Sequence, residues 1–328
     1  MKAWQIPELG DPWQVLRTVD VALPDPEPGT LKIRVEATDL NFADILQCQG
    51  SYQIKLTPPF TPGLNSTGTV IAAGADVEFD VGQRVVGPAF DSYGGYAEEA
   101  ILFGAQTQPI PDALDPIKAM GAHVTHATGW FALHQRARLE PQETVLVLAA
   151  AGGVGSAAVQ MARAHGCWVA AAAAGDRKTQ LCTELGADLV IDYDKEDLYR
   201  RVMDATDGRG VDVVYDPVGG EYFDIARRLV AFEGRLLIVG FASGTIPAAP
   251  ANHLLVKNYS VVGVHMGAYR DHMPELVRRC YVELHQALLD GTFDAVVSEV
   301  IGFDALPETL ARLANRETVG RVVFDPSK

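Results

Sequence analysis

The sequence predicts an α/β protein in two parts, a β-rich domain followed by a doubly wound domain with a parallel sheet. Up to about residue 122, short β-prone runs are separated by turn formers, the pattern of strands joined by tight turns. From about residue 124, strand-like and helix-like segments alternate, as successive β-α units require. The later strands are apolar without alternation, which suits a sheet covered by helices on both faces.

Taken in order, the first part has strands expected at 31–37, 68–73 and 83–86, where β-branched and small apolar residues cluster. Glycine and proline at 24–29, 58–59, 62–63 and 94–95 supply the turns. The second part opens with an amphipathic segment at 127–139. Strands at 144–150, 168–174, 189–192, 211–215, 235–239 and 259–264 then alternate with helices at 156–165, 177–185, 198–206 and 222–232. Helical periodicity resumes at 274–289 and 306–314, and a last strand at 321–324 is expected to return to the first domain. The expected division is 1–123 and 267–328 for the first domain, with 124–266 inserted between them.

Apolar residues make up 48% of the 328 and charged residues 21%, ordinary globular usage, so disorder is not expected. A formal net charge of −15 without a basic cluster predicts no nucleic-acid partner. A phosphorylated cofactor is still compatible, because a few local donors hold phosphates against an unfavourable mean field. The start, Met1-Lys2-Ala3-Trp4-Gln5-Ile6-Pro7, lacks a signal peptide's apolar run, and no apolar stretch reaches membrane-spanning length uninterrupted. A cytoplasmic location and no membrane partner are expected. Cys48, Cys167, Cys182 and Cys280 lack CxxC spacing and read as buried small hydrophobes rather than disulfide or zinc cysteines.

The strand at 144–150 runs into Gly152-Gly153-Val154-Gly155 and then the helix at 156–165. Small residues there allow a tight turn and close approach of a pyrophosphate, whose charge suits the N–H groups at a helix start. Close packing of helix on strand would also ask for such glycines, but a complete strand-turn-helix unit within a series of them favours a dinucleotide. Where NAD-binding chains carry an acid at the end of the second strand, this chain reads Ala171-Ala172-Ala173-Ala174-Gly175-Asp176-Arg177-Lys178. An acid would repel a 2′-phosphate, so its absence, with cations following, points to NADPH. Asp176 reads either as a ribose acid or as a helix N-cap, the second being favoured.

Further pieces are spread over nearly the whole chain. They are Asn41-Phe42-Ala43-Asp44 with Gln49-Gly50-Ser51-Tyr52, Thr61-Pro62-Gly63 with Gly68, and Gly82-Gln83-Arg84-Val85. Gly94-Gly95-Tyr96-Ala97-Glu98, Thr128-Gly129-Trp130 and Glu317-Thr318-Val319-Gly320-Arg321-Val322-Val323 complete the set. In combination they resemble the zinc-free quinone oxidoreductase branch, like zeta-crystallin, of the medium-chain dehydrogenase/reductase superfamily. The resemblance implies a GroES-like catalytic domain built from both chain ends, an inserted Rossmann domain, a cleft between them for the nicotinamide, and a homodimer paired through 259–264. It also implies an enzyme that passes hydride from NADPH to a small-molecule electron acceptor, a quinone or an α,β-unsaturated carbonyl compound.

By the same resemblance, Asn41 stands beside the nicotinamide, where its amide donates and accepts, and Asp44 supports it. Tyr52 is a candidate proton donor; an aromatic pocket wall is its alternative role. Thr128 falls at the nicotinamide end, Gly152, Gly153, Val154 and Gly155 at the pyrophosphate, and Lys178 and Tyr193 at the adenosine end. Arg316 is a further 2′-phosphate candidate. The loops carrying Val218 and Gly240-Phe241 lie where ribose and carboxamide are held.

Zinc alcohol dehydrogenases share this architecture. Where they carry a cysteine ligand this chain has Asn41, and where they carry Gly-His-Glu it has Gly63-Leu64-Asn65. No metal is therefore expected, and His123, His126 and His134 are assigned surface or packing roles. Gly175, Asn65 and Leu46 depart from common family residues, and the last two fall near the expected substrate pocket. Two other readings remain open. One is reduction of a 2-enoyl thioester, with Arg270 and Arg278-Arg279 as its only basic cluster, and the other is a non-enzymatic NADPH-binding sensor.

Overall fold

A computed structural model covers residues 1–328. The chain forms two compact units, Met1–His123 with Tyr281–Lys328, and Val124–Cys280. The return to the first unit falls at Tyr281, inside the helix Pro274–Asp290, and not at 267 as the sequence suggested. The ring of Tyr269, in the helix Met266–His272, stacks on Phe131 at 4.2 Å and holds this segment to the second unit. No local change of composition marks that packing.

In the first unit the sheet runs in the order Val297–Ile301, Arg321–Phe324, Thr30–Asp39, Asn65–Ala73, Arg84–Pro88, Gln108–Pro109, with Glu99–Phe103 also paired to Thr30–Asp39. Leu31, Ile33 and Val35 alternate into a core with Val70, Val85, Ala100 and Leu102, the period of two that a half-buried strand imposes. The last strand, Arg321–Phe324, lies antiparallel to the end of Thr30–Asp39, with Val323 opposite Asp39 and Phe324 opposite Thr38. Phe324 and the helix Leu306–Ala314 close a second core with Ile6, Leu40, Ile45 and Phe60. Both ends of the chain thus build one GroES-like β-rich unit.

The second unit holds a six-stranded parallel sheet in the order Leu189–Asp192, Trp168–Ala173, Thr144–Val147, Val211–Asp216, Val230–Ile238, Ser260–Gly263. Counted along the chain these are its third, second, first, fourth, fifth and sixth strands, the doubly wound order that places a switch point beside the first. Strand residues such as Leu146, Ala170, Val214 and Leu236 are fully buried, as two covered faces require.

Several boundaries differ from expectation, three of them instructively. The first strand stops at Val147, because Leu148 to Ala151 enter a turn with Ala149 at φ 47°. The helix Gly220–Leu229 ends early and the chain passes directly into the strand Val230–Ile238. The amphipathic segment expected at 127–139 is only the end of the helix Pro116–Trp130, which widens into a π-helical turn at Phe131–Arg136. There the Ala137 N–H reaches the Ala132 carbonyl at 2.8 Å. A helix without a sequence forecast, Ala251–Lys257, leaves Leu255 and Val256 exposed. No helix is long and apolar enough to cross a membrane.

Candidate active site and cofactor-binding elements

Asn41 is the N-cap of the helix Phe42–Cys48, held extended at φ −122° and ψ 154°. The fully buried Asp44 carboxylate accepts from the Asn41 N–H (2.8 Å) and from the Leu64 N–H (2.9 Å). It therefore ties the start of the helix to the turn at Pro62-Gly63. That turn is locked in its own right: Gly95 N–H donates to the Gly63 carbonyl and Tyr96 N–H to the Pro62 carbonyl, both at 3.0 Å. A Cβ on Gly63, whose φ is 108°, would stand 2.7 Å from the nitrogens of Gly95 and Tyr96, so only glycine fits. Sequence pieces that were separate signals are thus one interlocked backbone crossing.

Arg321 completes this cluster. Its Nη2 donates to Asp39 Oδ2 at 2.6 Å and to Asn41 Oδ1 at 2.8 Å. Asp39 is wholly buried and Arg321 is only 9% exposed, so the ion pair is shielded from water. Asp39 Oδ1, Asn41 Nδ2 and Arg321 Nε are buried without a hydrogen-bond partner. Burial pushes the Asp39 carboxyl up from its ordinary value, opposed by the Arg321 cation and then by the amides of Asn41 and Asn65. Asp44 is pushed up to about 7 by burial and by the neighbouring Asp39 charge, against the two backbone donors. Tyr96 donates to the Asp39 carbonyl at 3.3 Å; burial first, then the two carboxylates, raise its phenol well above the ordinary value. Burial, reinforced by Asp44, likewise raises the Cys48 thiol, which leaves it unreactive.

Tyr52 sits half-buried just beyond the same helix, where the Leu46 carbonyl accepts from both the Ser51 and Tyr52 N–H groups (2.8 and 3.0 Å). Arg316 is exposed after Leu306–Ala314 at φ 61°, its N–H on the Leu313 carbonyl.

No group of three or more His, Cys, Asp or Glu side chains is placed to hold a metal ion, and the Asp39 carboxylate already carries a cation. His123 and His126 are buried, not at the surface: His123 stacks on Tyr281 at 4.7 Å, and His126 Nδ1 meets Thr125 Oγ1 at 3.1 Å. His134 lies edge-on to Trp130 at 6.1 Å.

In the second unit, Gly152 is the N-cap of the helix Gly153–Ala164, and the Ser156 N–H makes the bond to the Gly152 carbonyl (2.8 Å). The N–H groups of Gly153, Val154 and Gly155 precede that first turn, the position from which helix donors face an anion. The glycines divide their work. A Cβ on Gly155 would meet the Ala149 carbonyl oxygen at 2.3 Å, so that glycine serves helix-on-strand packing. At Gly152 a Cβ would meet only the Ala149 carbonyl oxygen, at 3.3 Å, a milder approach.

Asp216, at the end of the fourth strand, organises the next two loops. Its Oδ1 accepts from the N–H groups of Val218 (2.8 Å) and Gly219 (2.9 Å), while its carbonyl takes the Val239 N–H (2.9 Å). Ala242 and Ser243 N–H groups return to the Pro217 and Val218 carbonyls at 3.0 Å. Val218, Gly240 and Phe241 are thereby brought together at strand carboxyl ends. Thr128 turns its hydroxyl back onto the Val124 carbonyl at 2.7 Å.

Asp176 does not cap its helix: Gly175 does, at φ 83° and ψ 156°. A positive φ there favours glycine, which accounts for its departure from the common family residue. Asp176 pairs with Lys195 (2.5 Å), which also meets Asp192 (3.2 Å). Asp192 Oδ1 accepts the Gly175 N–H at 3.2 Å, and that bond foremost lowers its carboxyl's pKa. An acid thus does reach the turn after the second strand, but from the third strand. Lys178 is half-buried on the helix Asp176–Glu184, and the Tyr193 ring lies 5.0 Å from that of Tyr222. Asp39, Asp192 and Asp216 went unread in the sequence, where an acid at a strand's end was their only signal, and Arg321 stood there only as part of the tail motif.

Residues 27–112 match the alcohol dehydrogenase GroES-like domain family, and residues 153–281 the family described as zinc-binding dehydrogenase. The quinone oxidoreductase-like protein 2 homolog of Nematostella vectensis is 37% identical over 302 residues, 90% of this chain and 82% of that protein. Mycobacterial Rv1454c, solved in complex with NADPH, is 31% identical with a TM-score of 0.90, over 99% of this chain and 100% of that one. The CurK enoyl reductase is 25% identical with a TM-score of 0.85, over 99% and 98% of the two chains. With that identity sustained across both units of the fold, the chain belongs to the quinone oxidoreductase branch of the medium-chain dehydrogenase/reductase superfamily.

Proposed function

We propose that this protein is an NADPH-dependent, zinc-independent reductase whose acceptor is an electron-poor conjugated carbonyl compound, a quinone or an enone. The observation that carries this reading is the buried Asp39–Arg321 pair beside Asn41, a fixed polar cluster where a metal enzyme needs thiolate and imidazole donors. Without a Lewis acid, an alcohol is a poor hydride source, whereas a conjugated carbonyl is reducible with hydrogen-bond donors alone.

The cofactor is assigned residue by residue. Gly152, Gly153, Val154 and Gly155 take the pyrophosphate at the helix start. Lys178 and Tyr193 hold the adenosine end, with Arg316 as a further 2′-phosphate ligand. Val218, Gly240 and Phe241 line the ribose and carboxamide, and Thr128 the nicotinamide end. Bound there, NADPH supplies the hydride. Asn41 donates to the acceptor's oxygen as negative charge develops on it, and Tyr52 supplies the proton that follows. The active form is a homodimer.

The fold likeness to CurK favours a second reading, reduction of a 2-enoyl thioester. Against it, Arg278 is exposed and pairs with Glu275 one turn away, an ordinary solvated helix pair and not a built phosphate site. Steady-state rates with NADPH on a quinone, an enone and a 2-enoyl thioester separate the two: turnover of the first two supports the proposal, and turnover of the thioester alone overturns it. Tight NADPH binding with no acceptor reduced would make the chain a sensor.

A further inference from the structure

The amide of Asn41 can be oriented from chemistry alone. A guanidinium has only donors, so the atom of Asn41 that faces Arg321 must be the amide oxygen. That leaves Nδ2 as the donor, buried and without a hydrogen bond of ordinary geometry; the carboxyl whose pKa this amide lowers, Asp39, is already gripped by the guanidinium. The guanidinium cannot swing aside to release the amide, because the same Nη2 is held at 2.6 Å by Asp39, which is wholly buried. Asn41 is also fixed from behind, its backbone N–H on Asp44.

We infer that Arg321, braced by Asp39, is a positioning residue that converts Asn41 from an ambivalent amide into a donor-only group, aimed at an oxygen of the bound acceptor. The inference rests on the reductase reading above and deepens it. It narrows the ligand class to molecules presenting a carbonyl-type oxygen beside the carbon that receives hydride, and it disfavours any that must donate a hydrogen bond there. When hydride adds to a conjugated carbonyl, the π electrons move onto that oxygen and the proton arrives afterwards. A fixed donor at that oxygen is stronger in the transition state than in the ground state.

The decisive variant is Asn41→Asp. It keeps an oxygen for Arg321 and replaces the amide donor by a carboxyl oxygen, at the cost of a further acid beside the buried Asp39 and Asp44. With NADPH and either 1,4-naphthoquinone or but-3-en-2-one, kcat is expected to fall on the order of 100-fold, as when one oxyanion donor is removed. The rates are compared at saturating NADPH, and the thermal midpoint is expected to fall while the protein stays folded, because the new carboxyl adds negative charge beside Asp39 and Asp44. Arg321→Lys is expected to lower kcat while Asn41 remains, since a single ammonium cannot grip both oxygens in the same geometry. A kcat for Asn41→Asp within about three-fold of the parent, where a missing donor costs on the order of 100-fold, overturns the inference. Neutron diffraction of the deuterated full chain reads the amide independently of turnover: deuterium on the atom facing Arg321 overturns it, and deuterium on the far side supports it. If the parent protein reduces neither acceptor yet the deuterium lies on the far side, the reductase reading fails while the orientation of Asn41 by Arg321 stands.

Discussion

The guanidinium of Arg321 and the carboxylate of Asp39, 282 positions apart in sequence, meet at 2.6 Å in the interior of the first unit. The register of the last strand, Val323 opposite Asp39, is what brings them together. A buried pair of this kind adds little over apolar side chains, but removing one partner strands a charge. Arg321→Met is therefore expected to destabilise the protein by about 3–5 kcal/mol, whereas the double variant Arg321→Met, Asp39→Leu recovers much of that loss. Urea unfolding midpoints measure both; a single variant as stable as the parent would show the pair to be solvated.

Asp44 gives a stability that depends on pH in a definite direction. Its folded value, about 7, lies above the ordinary value of 3.8, so the native state binds the proton more tightly than the unfolded chain. Its contribution is complete below about pH 4, declines as pH rises and is lost through pH 7. Asp44→Asn should be less stable than the parent at acid pH, and the difference should narrow towards pH 8. Denaturant titrations of both proteins at several pH values check this, and a difference that grows with pH has the wrong sign.

The glycines of the turn separate by substitution. Gly155→Ala forces a Cβ against backbone atoms at 2.3 and 2.8 Å, and is expected to cost about 1–3 kcal/mol of stability. Gly152→Ala, at φ −80°, is expected to leave stability nearly unchanged and to weaken NADPH binding instead. Thermal melts alongside cofactor titrations distinguish packing from ligand approach.

Cofactor preference is read at Lys178. Lys178→Ala is expected to raise the NADPH dissociation constant by about 10- to 100-fold, since a charge-assisted contact contributes about 1.5–3 kcal/mol, with little change for NADH. Equal weakening of both would assign Lys178 to the shared part of the cofactor.

Metal content tests the zinc-free reading directly. Elemental analysis of purified protein should find zinc well below one atom per chain, and prolonged chelation should leave the reduction rate unaltered. Restoration of rate by added zinc would contradict it.

Much of the second unit was legible because its signals are local. A strand, a glycine turn and a helix follow one another within about 20 residues, and each is specified by backbone sterics and apolar periodicity. The boundaries were less legible: the chain's return at Tyr281 depends on where Tyr269 stacks, and the helix start at Gly175 on a φ of 83°.

By itself the sequence determined that both chain ends share a β-rich unit with a parallel-sheet unit inserted between them in the chain, that a strand, a glycine turn and a helix meet at Gly152, and that cysteine and histidine are missing at Asn41 and Leu64. Only the tertiary structure decided which way the Asn41 amide turns, its oxygen meeting the Arg321 guanidinium. The same residues in sequence allow its amide to face either way. The choice follows from a strand register that delivers Arg321 from the far end of the chain, and from the rule that a guanidinium can only donate.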